Sequence, residues 1–172
     1  MKFAKFLTTI VAGSMTIAAS TASADMLDVH MSIPKDLTFL ADSAKLMDKS
    51  LRDMSGGTSG LNLFGSGELV PVGEILENVS SGAIPAGWSF LGQWGGKVPV
   101  AQIGATPFGA GPEALAAWLH VGGGLEIVQR GFDDLNVKIL GCHITAPEPG
   151  GWFNKEINSI EDFSGLKMRM AG

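Results

Sequence analysis

The sequence predicts an α/β fold built on a parallel sheet, and three observations carry that prediction. Short apolar and β-branched runs alternate with stretches of helical period along the first 130 residues, the pattern of strands joined by crossover helices. The 24 glycines and 8 prolines cluster between those runs, where turns and close backbone approaches fall. An apolar fraction of 45% with only 17% charged residues gives 172 residues enough material for one packed core.

Each element can be justified in chain order. "LDVHMSI" (27–33) reads as a first strand, stopped by Pro34. Asp36 is placed to cap a helix, and Leu37, Leu40, Ala44, Met47, Leu51 and Met54 recur at steps of three and four as one apolar stripe. Gly56 and Gly57 end it. "LNLF" (61–64) alternates as a second strand. Pro71 suits the first turn of a second helix, whose buried face is Val72, Ile75, Leu76 and Val79, with Gly82 at its end. "AIPAGW" (83–88) reads as a third strand. Residues 89–111 are loop-rich. "PEALAAWLH" (112–120) is a helix closed by "GGG" (122–124), and a further helix covers 125–130. "VKIL" (137–140) is expected to be a buried strand. Ser159 and Asp162 form a capping box for one short turn. "LKMRM" (166–170) alternates as a last strand, with Lys167 and Arg169 on one side.

In parallel sheets ligands sit outside the carboxyl ends of the strands. Here those ends fall around Ser32, Gly65 and Trp88.

The N-terminus carries a separate signal. Lys2 and Lys5 precede a short apolar run (6–19), and "ASA" (22–24) supplies small residues before Asp25, which together read as a secretory signal peptide over 1–24 cleaved after Ala24. The formal charge of the chain is −5; removing Lys2 and Lys5 takes its 12 basic residues to 10 against 17 acids, or −7. No basic patch marks a nucleic-acid partner. No later stretch is apolar enough to span a membrane. Cys142 is the one cysteine, so no disulfide forms within the chain.

Catalytic patterns are missing. His30, His120 and His143 have no ligand spacing, and Cys142 and His143 as strand neighbours would face opposite ways. There is no nucleophile elbow and no phosphate loop with its lysine, and "GSGELV" (65–70) lacks the third glycine of a dinucleotide fingerprint. Aromatics are the stronger candidates for a binding site. Trp88 and Phe108 stand in or beside glycine-rich loops, where packing and ligand contact are both open to them. Glu148 sits between prolines in an apolar loop.

Two stretches, "PFGAGPEALAAWLHVGGG" (107–124) and "PGGWFNKEINSIEDFSGLKMRMAG" (149–172), resemble the substrate-binding receptors of TRAP transporters, the DctP family. The resemblance runs across essentially all of residues 25–172 and is nearest to the branch that takes 2-oxo acids, mannitol and chloroaromatic compounds. It implies a two-lobe fold of the periplasmic binding protein type II kind. Residues 25–172 would then form mainly the first lobe and the strand that starts the crossover to the second, as an N-terminal fragment of a chain roughly twice as long. It also implies that Arg169, at the tip of "GLKMR", grips a substrate carboxylate. In the family a second polar contact stands two residues before "GGWF"; that position is Glu148 here, where the family typically has glutamine, a change that suits a polyol or hydroxy acid better than a plain 2-oxo acid. The implied role is capture of a small organic acid in the periplasm and delivery to small and large membrane subunits, without catalysis and without a resident cofactor; a cation held with the ligand would rest on second-lobe residues. The competing expectation is an exported α/β enzyme whose catalytic groups lie beyond Gly172.

Overall fold

The computed structural model describes residues 25–147 and 150–168. The signal-peptide segment 1–24, Glu148 and Arg169 therefore lie outside the described residues. Within them, a three-stranded parallel sheet forms from β1 (Met26–Met31), β2 (Gly60–Phe64) and β3 (Ala86–Trp88), in the order β2-β1-β3. β1 is central: Met26 to His30 pair with Gly60 to Phe64, and Val29 to Met31 pair with Ala86 to Trp88. The predicted α/β class and its parallel sheet are both present.

The period-2 alternation of β1 splits its side chains between two helical layers. Met31 packs on Ala41 and Ala44 beneath α1 (Asp42–Ser55), joined by Ile33, Leu63 and Trp88. The other face carries His30 and Gly87. A β-carbon on Gly87 would lie 2.5 Å from the Ile75 side chain, so α2 (Ile75–Ser80) presses directly on the strand there. A larger core follows, in which Ile75, Leu76, Ile84, Trp94, Val98, Ala101, Val128 and Phe132 bring α2, the two 3-10 turns at Leu91–Trp94 and Pro99–Gly104, and α4 (Gly124–Arg130) together. Asp48 ties α1 to the sheet. Its carboxylate accepts the Leu61 N–H at 2.6 Å and the Arg52 Nε–H at 2.8 Å.

Several expectations are corrected. α1 begins at Asp42, not after Asp36, because Phe39 sits at φ 68° and cannot continue a right-handed helix. Its N–H instead donates to Asp42 Oδ2 at 2.9 Å, which opens the helix one turn later. Leu37 and Leu40 are thus in the preceding loop, and Met54 is 77% exposed. Residues 137–140 are not a strand. Val137 and Ile139 pack on the core, but their backbone is held by a side chain: Gln129 donates to the Val137 carbonyl and accepts the Ile139 N–H, both at 2.9 Å. Residues 166–168 likewise pair with no strand among the described residues. Other elements match: α3 runs Pro112–His120, and the box of Ser159 and Asp162 caps the 3-10 turn Ile160–Phe163. No helix among the described residues is long and apolar enough to cross a membrane.

Candidate functional site

The strand order sets where a ligand can enter. From β1 the chain moves to β2 on one side, then crosses to β3 on the other. The connections therefore diverge at the carboxyl ends of β1 and β3, the position at which parallel sheets open a crevice. Three loops leave this edge, residues 32–41, 65–71 and 89–97. They are laced together by backbone bonds: Ser32 N–H donates to the Trp88 carbonyl at 2.9 Å, and Ser66 N–H donates to the Ile33 carbonyl at 3.1 Å.

Side chains add to that lacing. Lys35 Nζ lies 2.8 Å from Glu68 Oε1, joining the first loop to the second. Both groups are well exposed, so the pair steers the loops more than it stabilises them. Lys35 as hydrogen-bond donor, and then the Gly65 backbone, hold the Glu68 carboxyl below its ordinary value. The backbone at Gly65 runs close to both partners: a β-carbon there would sit 3.3 Å from Lys35 N and from Glu68 Oε1, a tight contact that the neighbours would have to relieve by a few tenths of an ångström.

His30 is fully buried at the end of β1. Leu69 N–H donates to its Nδ1 at 3.3 Å, and burial pushes the imidazole below its usual value, with the Glu68 charge opposing in part. His30 Nε2 and Ser32 Oγ, two residues apart on one face of the strand, are buried and find no hydrogen-bond partner among the described residues. Unpaired buried polar atoms are costly, so each calls for a partner such as water, an ion or a ligand; Glu77 Oε2 on α2 is in the same position.

Trp88 closes β3 half-buried, resting on Met31 and the α1 layer. Just beyond it Trp94 Nε1–H donates to Ser89 Oγ at 3.0 Å. Trp94 backs a cavity of about 290 Å³ between the start of the second crossover, at Val72 and Gly73, and residues Gln93, Gly96 and Lys97. Lys97 pairs with Glu77 of α2. A wider groove of about 480 Å³ lies between α3 and α4, lined by His120, Glu126, Arg130 and Lys138 among others.

Of the residues singled out in the sequence, the structure brings Trp88 to the carboxyl edge. Phe108 lines neither cavity; it stands fully exposed on the turn Thr106–Gly109, at φ 58°. Arg169 and Glu148 lie outside the described residues. Sequence reasoning missed the pairing of His30, Ser32, Lys35 and Glu68. A signal existed in "HMS", where polar residues two apart share one face at the end of an otherwise apolar strand. Among the described residues no three His, Cys, Asp or Glu side chains converge so as to hold a cation. Cys142 is free and exposed, its thiol pushed up by partial desolvation.

Comparison with known proteins gives this edge a context. The family model described as bacterial extracellular solute-binding protein, family 7 (DctP) matches residues 30–172. A monocarboxylate 2-oxoacid-binding periplasmic protein of Nostoc sp. is 37% identical over 141 residues, which cover 81% of this chain and 38% of that protein. The solved TRAP transporter solute-binding protein of Bordetella bronchiseptica, with copurified calcium and picolinate in its active site, superposes with a TM-score of 0.78 at 30% identity, over 86% of this chain and 44% of that one. The TRAP periplasmic solute-binding protein of Pseudoalteromonas atlantica, with bound sodium and pyruvate, gives a TM-score of 0.71 at 28% identity, over 84% and 44%. The chain thus spans about two fifths of the length of these relatives.

Proposed function

Because the chain belongs to bacterial extracellular solute-binding protein family 7, we propose that it serves as the ligand-capturing part of a TRAP receptor for a small organic acid, working in the periplasm. The carrying observation is the extent of the match. Residues 30–172 take in the whole carboxyl edge of the sheet, with Ser32, Trp88 and the loops that leave them, and they also take in the "GLKMR" run. The matched family and the relatives above are solute-binding proteins, and the enzyme alternative finds no counterpart among them.

In this reading Arg169 holds the ligand carboxylate. A guanidinium offers two parallel N–H donors in the spacing of two carboxylate oxygens, and is the side chain best suited to that task. Glu148 stands beside the same site and favours a ligand hydroxyl over a bare keto oxygen, since an ionised carboxylate accepts hydrogen bonds and repels anions. Trp88 supplies an apolar wall at the strand end. Residues 25–172 act as one lobe that closes against another, a hinge motion common to binding proteins. Residues 1–24 direct export, and small and large membrane subunits receive the ligand.

The test is calorimetric titration of the natural protein with pyruvate, lactate and picolinate, alongside amino-terminal analysis of the periplasmic fraction. Saturable binding of at least one acid and a mature start at Asp25 are expected. A natural protein that takes none of these acids, or other small organic acids, removes the reading.

A further inference from the structure

We propose that His30 is a positioning residue that latches the loop 65–71 over the carboxyl edge of the sheet through Nδ1, and that the latch opens when the ring takes up a proton. The loop is the crossover that leaves β2 and leads to α2, and it forms one wall of the edge at which we place the ligand.

The geometry carries the argument. Leu69 N–H donates to His30 Nδ1 across 39 residues of sequence, at 3.3 Å. That bond assigns the tautomer: Nδ1 holds the lone pair, so the neutral ring carries its proton on Nε2. A proton added at Nδ1 would set a donor against a donor. The latch cannot survive that change, because the ring is fully buried and cannot turn to water for another partner.

The surroundings of the ring favour neutrality. From α2 the side chains turned to this face are Ile75 and Val79, against Gly87 of β3, and neither bears a charge. The neighbouring ladder partners are Phe64 of β2 and Gly87. On β1 itself Asp28 shares the face; it is half-buried, and its carboxylate accepts from Asn62 Nδ2 at 2.8 Å. The facing charge is Glu68, in the latched loop, and it is engaged by Lys35. Glu68 pulls the ring toward protonation while burial opposes it, and burial is the larger influence. The same loop is also held by Ser66 N–H on the Ile33 carbonyl, so opening the latch would loosen its Glu68–Val70 half while its root stays attached.

The latch is tested without any ligand, by following the Leu69 amide and the His30 ring together by NMR from pH 7.5 to pH 5. Leu69 protection, corrected for the intrinsic exchange rate, should fall by roughly three- to tenfold, the scale of one lost hydrogen bond. Its midpoint should match the ring titration, while the Val29 amide in the β1 ladder stays protected. The variant His30→Asn, which keeps an acceptor near the Nδ1 position but cannot titrate, should remove the pH dependence. Unchanged Leu69 protection as the ring titrates, or Leu69 and Val29 losing protection together, would overturn the latch. A second arm rests on the proposed function: pyruvate affinity of the natural protein should weaken with the same midpoint. If Leu69 responds as expected and pyruvate never binds, the latch stands and the assigned ligand class fails.

Discussion

The Ser32 N–H donates to the carbonyl of Trp88 at 2.9 Å, and this bond lies one residue past the last ladder pair of β1 and β3, Met31 with Trp88. It keeps the two chains together just where their connections diverge. In the proposed ligand site this pair would form the floor, with an indole on the α1 side and the buried Ser32 hydroxyl on the other. A floor made of backbone is stiff, so side-chain changes above it should alter binding more than folding.

Arg169→Ala is expected to abolish most binding. Truncating one partner of a desolvated ion pair costs about 2–5 kcal/mol, which is roughly thirty-fold to several-thousand-fold in affinity. Calorimetry of the natural protein against its variant reads this directly. The melting temperature without ligand should hardly move; a large drop would assign Arg169 to the fold instead.

Glu148→Gln should shift preference toward plain 2-oxo acids. If Glu148 faces the ligand as proposed, the amide removes a negative charge there and adds a donor for a keto oxygen. The ratio of pyruvate to lactate affinity should rise. An unaltered ratio would mean that Glu148 does not face the ligand.

Stability should fall in two stages on acidification. His30 has a depressed value in the folded chain, so between that value and the ordinary 6.5 the unfolded chain binds more protons. Its contribution is complete above 6.5 and is lost as the pH falls through the folded value. Glu68, Glu161 and Asp162 are also depressed, by hydrogen bonds to their ionised forms, with Lys35 first for Glu68 and backbone donors first for the other two. Their contributions are present above the ordinary carboxylate values and disappear as the pH falls through their folded ones. Calorimetric melting from pH 8 to pH 4 should show the first stage in the natural sequence and not in His30→Asn.

Gly87→Ala should destabilise the fold by about 1–3 kcal/mol, the usual cost of overpacking a close contact. The added carbon would meet Ile75 Cγ2 at 2.5 Å, and the strand cannot retreat without breaking its ladder to β1. Chemical denaturation would measure it. A neutral result would show that α2 can shift outward freely.

Phe39→Gly should stabilise the protein by about 1 kcal/mol. A non-glycine residue in the left-handed region costs about 1–3 kcal/mol, offset in part by about 0.5–1 kcal/mol for the extra freedom of glycine in the unfolded chain. The ring is 82% exposed, so its removal loses little packing. A lowered melting temperature would instead point to a contact made by the ring.

Local chemistry made much of this fold legible. The alternation in 27–33 and 61–64, the proline that opens α3 and the Ser159–Asp162 box are each decided within a few residues, and each appears within two residues of where the sequence places it. The start of α1 was not legible, because a left-handed Phe39 held by Asp42 overrides an apolar stripe that would otherwise extend to Leu37. Residues 137–140 have the period of a strand, yet a strand exists only when a neighbour offers its backbone, and Gln129 takes that place.

By itself the sequence determined the α/β class, the parallel sheet and the family to which the chain belongs. Periodicity states which side of an element is buried, and long specific motifs identify relatives. Only the tertiary structure decided that β1 is central, that Ser32 meets Trp88, and that His30 meets Leu69 and faces Glu68. Those partners are tens of residues apart, and their meeting depends on the order in which strands add to the sheet, which no local pattern encodes.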